Sequence, residues 1–356
     1  YDDKASEVHV DNAGVWNGDA RADGASLLTV DNSGTWTGDA STEDTGSSMT
    51  ITSSGTWNGS AAAASGSVMT IDVSGAWTGD AKASDSGTTL TITDSGVWNG
   101  SATAESGAAV TVSDLNQWTG DATVSNAGRM DVALNGTWNG SASVTSNGIM
   151  TVDMNGTWNG NVSATKGSAV ALNIKGTWNG AVVEASEDST VDITDNTSSN
   201  TETKTETTAD TTESTSSTHG VLRFARLLAV NTASNDLTDT SDTTEATGTG
   251  DAADAEEEST PAPGVSVNFE GDNVSWNLTG DSELSGLNIG DGTISFPTPA
   301  SGESFTGTTL TVNGDYTASN ATLNMSASLS GENSASDLLT VTGAATGATT
   351  INVTAF

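Results

Sequence analysis

The stretch Leu28-Thr29-Val30-Asp31-Asn32-Ser33-Gly34-Thr35-Trp36-Thr37-Gly38-Asp39-Ala40 decides the architecture, because variants of it recur along the chain at a nearly fixed spacing. Trp stands at 16, 36, 57, 77, 98, 118, 138, 158 and 178, with successive gaps of 20, 21, 20, 21, 20, 20, 20 and 20 residues. Self-similarity at that period is the signature of a solenoid, in which each unit buries its apolar face only by stacking on its neighbours. Eight residues before each of these Trp, from Trp36 on, stands a short apolar alternation: Leu28-Thr29-Val30, Met49-Thr50-Ile51, Met69-Thr70-Ile71, Leu90-Thr91-Ile92, and so on to Val170-Ala171-Leu172. A period of two places the outer pair inside and the central residue outside, which is a strand pattern. From Trp to the following strand the count is 12 or 13, so that arc absorbs the variation and reads as a surface loop. It carries Asp23, Glu43, Asp44, Asp85 and Glu105, as a solvated edge would.

The repeat is too short, and too rich in Gly and β-branched residues, to carry a helix. The expected fold is all-β, a right-handed parallel β-helix with coils of about 20 residues and a C-terminal capping region. Two readings compete for the Trp column: a buried stack, or an exposed aromatic ladder that grips sugar rings. Residues two and four after Trp are Gly and Ala or Val, as in Trp57, Gly59 and Ala61, and small apolar neighbours favour the interior. On that reading Trp16, Trp36, Trp57, Trp77, Trp98, Trp118, Trp138, Trp158 and Trp178 form a structural core ladder. The alternate residues then line an outer polar face: Thr35 and Thr37, Thr56 and Asn58, Thr137 and Asn139, Thr157 and Asn159, Thr177 and Asn179. This face is the candidate binding surface. Trp-Thr-Gly-Asp at 36, 77 and 118 alternates with Trp-Asn-Gly-Ser at 57, 98 and 138, which reads as the trace of a duplicated two-coil unit.

Composition narrows the function. The chain has 356 residues, 46 Asp+Glu against 9 Lys+Arg, and a formal charge of -37. Such a surface repels nucleic acid and anionic membrane, so neither is an expected partner. Charged residues are only 15%, against ~25% in ordinary globular domains, with 40 Gly helping to fill the gap. There is no Cys, and two His, His9 and His219, offer little for a metal site or a catalytic triad. No metal and no cofactor is expected, and no apolar run reaches the ~20 residues of a membrane span. The start, Tyr1-Asp2-Asp3-Lys4, lacks the features of a signal peptide, as in a processed chain.

Four regions follow. Residues 1–195 are the regular Trp coils. Residues 196–263 are an acidic Ser/Thr-rich insertion or linker, because too few apolar groups remain there to offset chain entropy. Within it Val221 to Val230 is apolar and locally basic, and is expected to dock back on the rod as a strand or short helix, the alternative being a partner or processing site. Residues 264–305 are irregular further coils, where alternation resumes at Val265, Val267 and Phe269 and then at Val274, Trp276 and Leu278. Residues 306–356 form a cap, with Phe305 and Tyr316 as aromatic anchors.

That last region contains Leu310-Thr311-Val312-Asn313-Gly314-Asp315-Tyr316, then Ser336-Asp337-Leu338-Leu339-Thr340-Val341-Thr342-Gly343, then Gly347-Ala348-Thr349-Thr350-Ile351-Asn352-Val353. These elements resemble the pertactin-like autochaperone region of autotransporter passenger domains, and the upstream Trp coils are similar in architecture to AIDA-type autotransporter adhesins. The resemblance implies a protein exported through the outer membrane to the bacterial cell surface. It also implies a signal and an outer-membrane barrel beyond this segment, and folding from the C-terminal end with 306–356 as the nucleus.

The leading function is an adhesin or self-association protein, a source of aggregation and biofilm, acting through the repetitive polar face. Its partners are then the same protein on neighbouring cells or a host surface glycan or protein. A β-helix enzyme acting on polysaccharide is the alternative, and would need paired carboxylates in a groove. The carboxylates fall mostly in variable loops, and Gly280-Asp281-Ser282-Glu283 misses the serine-protease motif, so an enzyme is not expected. A purely structural or ice-binding solenoid, using Thr50/Thr52 and Thr91/Thr93, is interrupted by Asp72, Asp131 and Asn173. Calcium binding is expected only as loose screening, since the Gly-Gly-x-Gly-x-Asp repeat is missing.

Overall fold

The computed structural model describes residues 6–185, 220–223, 264–269, 274–299, 303–329 and 334–356, with backbone alone at 114–115, 184–185, 220–223 and 264–266. Each repeat makes three strands: a long one such as Leu27–Asn32, a short one centred on Trp such as Thr35–Thr37, and a short Ala-rich one such as Ala40–Thr42. Like strands of successive repeats pair in parallel, so Leu28 lies opposite Met49, Trp36 opposite Trp57 and Ala40 opposite Ala61. Long strands and Trp strands share a 22-stranded sheet, and the Ala strands stack into one of nine. The protein is an all-β parallel β-solenoid with coils of about 20 residues.

Alternation sends every second side chain inward. Trp36, Trp57 and each later ladder Trp are fully buried, their ring centroids 4.4–5.4 Å apart and their planes within 17° of parallel. Ring faces in contact at about 3.5 Å with that centroid spacing are displaced sideways by about 3 Å, the offset stack that aromatic quadrupoles favour. A buried indole N–H needs an acceptor. Each finds one in the coil before: Trp36 Nε1 donates to the Gly18 carbonyl at 2.8 Å, Trp57 to Gly38 at 3.0 Å and Trp98 to Gly79 at 2.9 Å. The accepting residue is always the Gly two after the preceding Trp, and it must be Gly. A Cβ on Gly59 or Gly100 would overlap the carbonyl oxygen of Gly38 or Gly79 beneath it.

The long strand extends two residues past the Leu-x-Val pattern, and its last residue also points inward. There Asn12 donates through Nδ2 to Asn32 Oδ1 at 2.8 Å and to the Thr35 carbonyl at 3.0 Å. Asn32 repeats this with Ser53 Oγ at 3.0 Å and the Thr56 carbonyl at 3.1 Å. Farther along, the same column turns apolar at Leu134, Met154 and Ile174, all buried.

The extra residue of the two 21-residue spacings is taken up in the loop after the Ala strand. There Asp44 and Asp85 sit at φ 72° and 75°, a left-handed conformation that Asp tolerates better than most residues. Their carboxylates accept N–H groups from the loop one coil earlier, Gly24 at 3.3 Å and Ser65 at 3.2 Å. These acids therefore tie loops together besides being solvated. Glu43 and Asp23 pair with Arg21, and Glu105 with Lys82.

The same loop is where the acidic tract enters. Strand Val182–Ala185 ends the Ala stack, and the next long strand, Gly264–Phe269, pairs in register with Ala169–Ile174. Trp276 then stacks 4.7 Å from Trp178 and donates to the Gly180 carbonyl at 3.0 Å, making it a tenth member of the ladder. The expected disorder of 196–263 lies outside the described residues except at Gly220–Arg223. That strand docks antiparallel on Leu338–Val341, while the rest of the segment expected to dock, 224–230, lies outside them. Beyond Trp276 the ladder continues as Ile294, Leu323 and Ile351. The Ala stack gives way to a four-stranded sheet of Ser282–Leu284, Thr309–Val312, Leu338–Val341 and Gly220–Arg223.

Replacing Trp118 with Ala is expected to cost ~3–5 kcal/mol through lost burial and a cavity, and Gly100→Ala ~1–3 kcal/mol through overpacking. Urea unfolding followed by far-UV circular dichroism measures both, and unchanged midpoints would contradict a packed ladder.

Candidate functional site

The outward residues on either side of each ladder position form a strip along the rod, from Val15 and Asn17 through Thr35 and Thr37, Thr56 and Asn58, Ala76 and Thr78, to Thr350 and Asn352. None of them is charged, although the chain carries -37. Thr137, Asn139, Thr157, Asn159, Thr177 and Asn179 lie on this strip, each half-buried or exposed. At ~4.8 Å per coil and three residues across, the strip is about 60 Å long and 10 Å wide.

From Asn139 to Asn277 it carries a continuous amide ladder. Asn159 Nδ2 donates to Asn139 Oδ1 at 2.8 Å, Asn179 to Asn159 at 2.7 Å, and Asn277 to Asn179 at 2.7 Å. Ser275 Oγ donates to Thr177 Oγ1 at 3.1 Å, and near the end Asn352 donates to Asn324 at 3.0 Å. Amides bonded to one another hold fixed rotamers, so the strip is rigid before it meets anything. In the first coils Asn alternates with Thr at this position.

One edge of the strip is a column of acceptors three residues after each Trp. Asp19 Oδ1 accepts the Asp39 N–H at 2.9 Å, Asp39 accepts from Ser60 at 2.8 Å, and Ser60 Oγ from Asp80 at 3.3 Å. Asp80 accepts from Ser101 at 2.8 Å and Ser101 from Asp121 at 3.2 Å. The column continues through Ser141 and Asn161 to the N–H of Ala181. The alternation of Trp-Thr-Gly-Asp with Trp-Asn-Gly-Ser thus has a chemical consequence beyond descent. Every turn N–H is bonded, while successive carboxylates from Asp39 to Asp121 stand two coils apart, ~9.6 Å, close to the screening length at physiological salt. Sequence reading missed this column, although an acceptor side chain at every coil from Asp19 to Asn161 was its signal.

Several other carboxylates have local partners. His9 Nε2 lies 2.8 Å from Asp31 Oδ2, within hydrogen-bond reach, and 3.5 Å from Asp11 Oδ1, a largely exposed trio whose atoms are close enough to hold an ion. A shallow groove lined by Val182, Val183, Asp281, Glu283, Thr309 and Thr311 holds two acids. Asp281 accepts the Thr309 N–H at 2.7 Å and Glu283 accepts from the Asn313 amide, so both are engaged in structure. The expected anchors divide: Tyr316 is buried, its hydroxyl 2.7 Å from Thr349 Oγ1, whereas Phe305 is half-buried and stacks on exposed Phe356.

Residues 282–356 match the family described as Autochaperone Domain Type 1. No curated protein and no solved structure matches the chain. An autochaperone segment at the C-terminal end of a β-solenoid fits an autotransporter passenger domain.

Within the matched segment Asp337 is the polar keystone. It is 1% exposed, and its two oxygens accept the N–H groups of Thr308 at 2.8 Å and Ser326 at 2.7 Å, joining three separate stretches of chain. Burial pushes its carboxyl above the usual range while the two N–H groups pull it back. Asp337→Ala strands both donors and is expected to cost ~2–4 kcal/mol. Asp337→Asn, which keeps one good acceptor, should cost less. Urea midpoints and refolding rates check the order, and equal behaviour of the two variants would contradict this role.

Proposed function

We propose that this chain is the passenger of a bacterial surface autotransporter, exported through the outer membrane, and that it serves as an adhesin or self-association protein through the uncharged strip over the Trp ladder. The observation that carries this reading is the exclusion of charge from one continuous strip along the rod of a chain whose net charge is -37. Like-charged rods approach each other at least cost along such a strip. Its partner is a second copy on a neighbouring cell or a host surface glycan or protein. Each hydroxyl or amide contact is weak, and repetition along ~60 Å turns weak contacts into useful avidity. The function is non-catalytic, with the carboxylates committed to loops and turns.

Thr137→Asp, Thr157→Asp and Thr177→Asp together place three like charges on the strip without touching the core. The triple variant is expected to fold, to lose cell clumping and surface binding by tenfold or more, and to regain part of the loss at high salt. Clumping and analytical ultracentrifugation across ionic strength read this directly. Wild-type association undiminished in the variant would overturn the assignment of the face, and turnover of a polysaccharide by the purified chain would overturn the non-catalytic reading.

A further inference from the structure

Asp94 ends the long strand Thr89–Asp94 and points into the core, with 0% of its surface exposed. Its Oδ1 accepts the Gly96 N–H at 2.9 Å, and its Oδ2, also buried, has no partner. Earlier coils show what this position is built to hold. Asn12 Oδ1 accepts the Gly14 N–H at 3.2 Å, the same two-residue turn, while Asn12 Nδ2 donates forward to Asn32 and to the Thr35 carbonyl. Asn32 Nδ2 donates forward in the same way to the Thr56 carbonyl. One side-chain atom therefore accepts within its own turn and the other donates to the backbone of the next coil. At Asp94 the accepting half is reproduced, and the atom left for the donating half is Oδ2. The carbonyl in the equivalent place is that of Gln117, the residue paired with Val97. An ionised carboxylate has no hydrogen to give, whereas a neutral acid has one.

We infer that the rod holds Asp94 as the neutral acid, its Oδ2–H serving as the forward donor in place of an asparagine amide, and that loss of this proton loosens the joint between this coil and the next. Burial pushes the Asp94 carboxyl up to about 6 from 3.8, against the opposing pull of the Gly96 N–H. Because the folded value lies above the unfolded one, the stabilisation is complete below about pH 4 and is lost as pH rises through about 6.

The surroundings concentrate the effect here. Val73 is the neutral residue in register on the preceding coil. On the following strand, Ala109–Thr119, the register with Thr89–Asp94 runs as far as Ser113, and Asp114 is the next residue along the chain. That strand also shifts register against Arg129–Asn139, between Val112 and Leu115 and again between Leu115 and Gln117. Asp94 thus stands between apolar Val73 and the apolar stretch of the column at Leu134, Met154 and Ile174, beside the irregular part of the long-strand ladder. The inference does not depend on which surface the rod binds.

The test is urea unfolding of the whole chain from pH 4 to pH 8 for the wild type, Asp94→Asn, Asp94→Val and Asp114→Asn. Other carboxylates titrate in every variant, so the quantity read is the difference from wild type. Between pH 4 and pH 7 the unfolding constant of Asp94→Asn should fall relative to wild type by about a hundredfold, the effect of two pKa units. Asp94→Val, which copies Val73, should show the same trend from a different starting value, and Asp114→Asn should keep the wild-type slope. Hydrogen exchange at Gln117 should slow in Asp94→Asn above pH 6. Parallel pH profiles for wild type and both Asp94 variants would overturn the inference, and so would a slope that only Asp114→Asn removes.

Discussion

The structure depends on a single repeated contact, the indole N–H of each Trp from Trp36 on donating to a glycine carbonyl one coil earlier. It couples two demands that usually conflict. A large aromatic ring gives a narrow coil enough apolar area to bury, and its one polar atom must still find a partner in a dry interior. The glycine meets both, because without a Cβ the backbone of the next coil can close over its carbonyl. Coil spacing, ring offset and strand register are then set together, which is why the ladder persists from Trp16 to Trp276 with so little variation.

Outside this core the coil divides its labour among its faces. The long-strand and Ala-strand faces and the loops carry the charges, where Arg21, Lys82 and Arg129 meet their acids. The turn after Trp carries acceptors that close the backbone. The Trp strand is left with uncharged residues, chiefly hydroxyls and amides, which bond to one another from Asn139 to Asn277. Charge repels like rods everywhere except along this strip, which is the face on which the proposed association relies.

Much of this was legible in the sequence because the period-two pattern and the constant eight-residue spacing are local facts that survive without coordinates. The β-solenoid and the parallel strands follow from them, while the C-terminal autochaperone segment was legible only through the resemblance of its motifs between Leu310 and Val353. Trp276 escaped the ladder because the acidic tract breaks the spacing, and only pairing in space reveals that Trp178 is its neighbour. The inward Asn12, Asn32 and Asp94 escaped for a different reason. A polar residue after an apolar alternation looks like the start of a turn, and its burial depends on a carbonyl from the next coil, twenty-odd residues away in sequence. Asp337 likewise joins three stretches that no local pattern connects.

The point where the acidic tract leaves and rejoins the rod has a topological consequence. The chain departs after Ala185 and returns at Gly264 in the register it would have had with an ordinary loop. Lengthening such a connection from a few residues to nearly eighty costs only ~2 kcal/mol in loop closure, against a whole coil of stacked rings and ladders on either side. Covalent continuity across residues 186–263 is therefore dispensable once the rod has formed. A protease that severs the tract would yield two polypeptides that migrate separately in denaturant and behave as one particle in buffer.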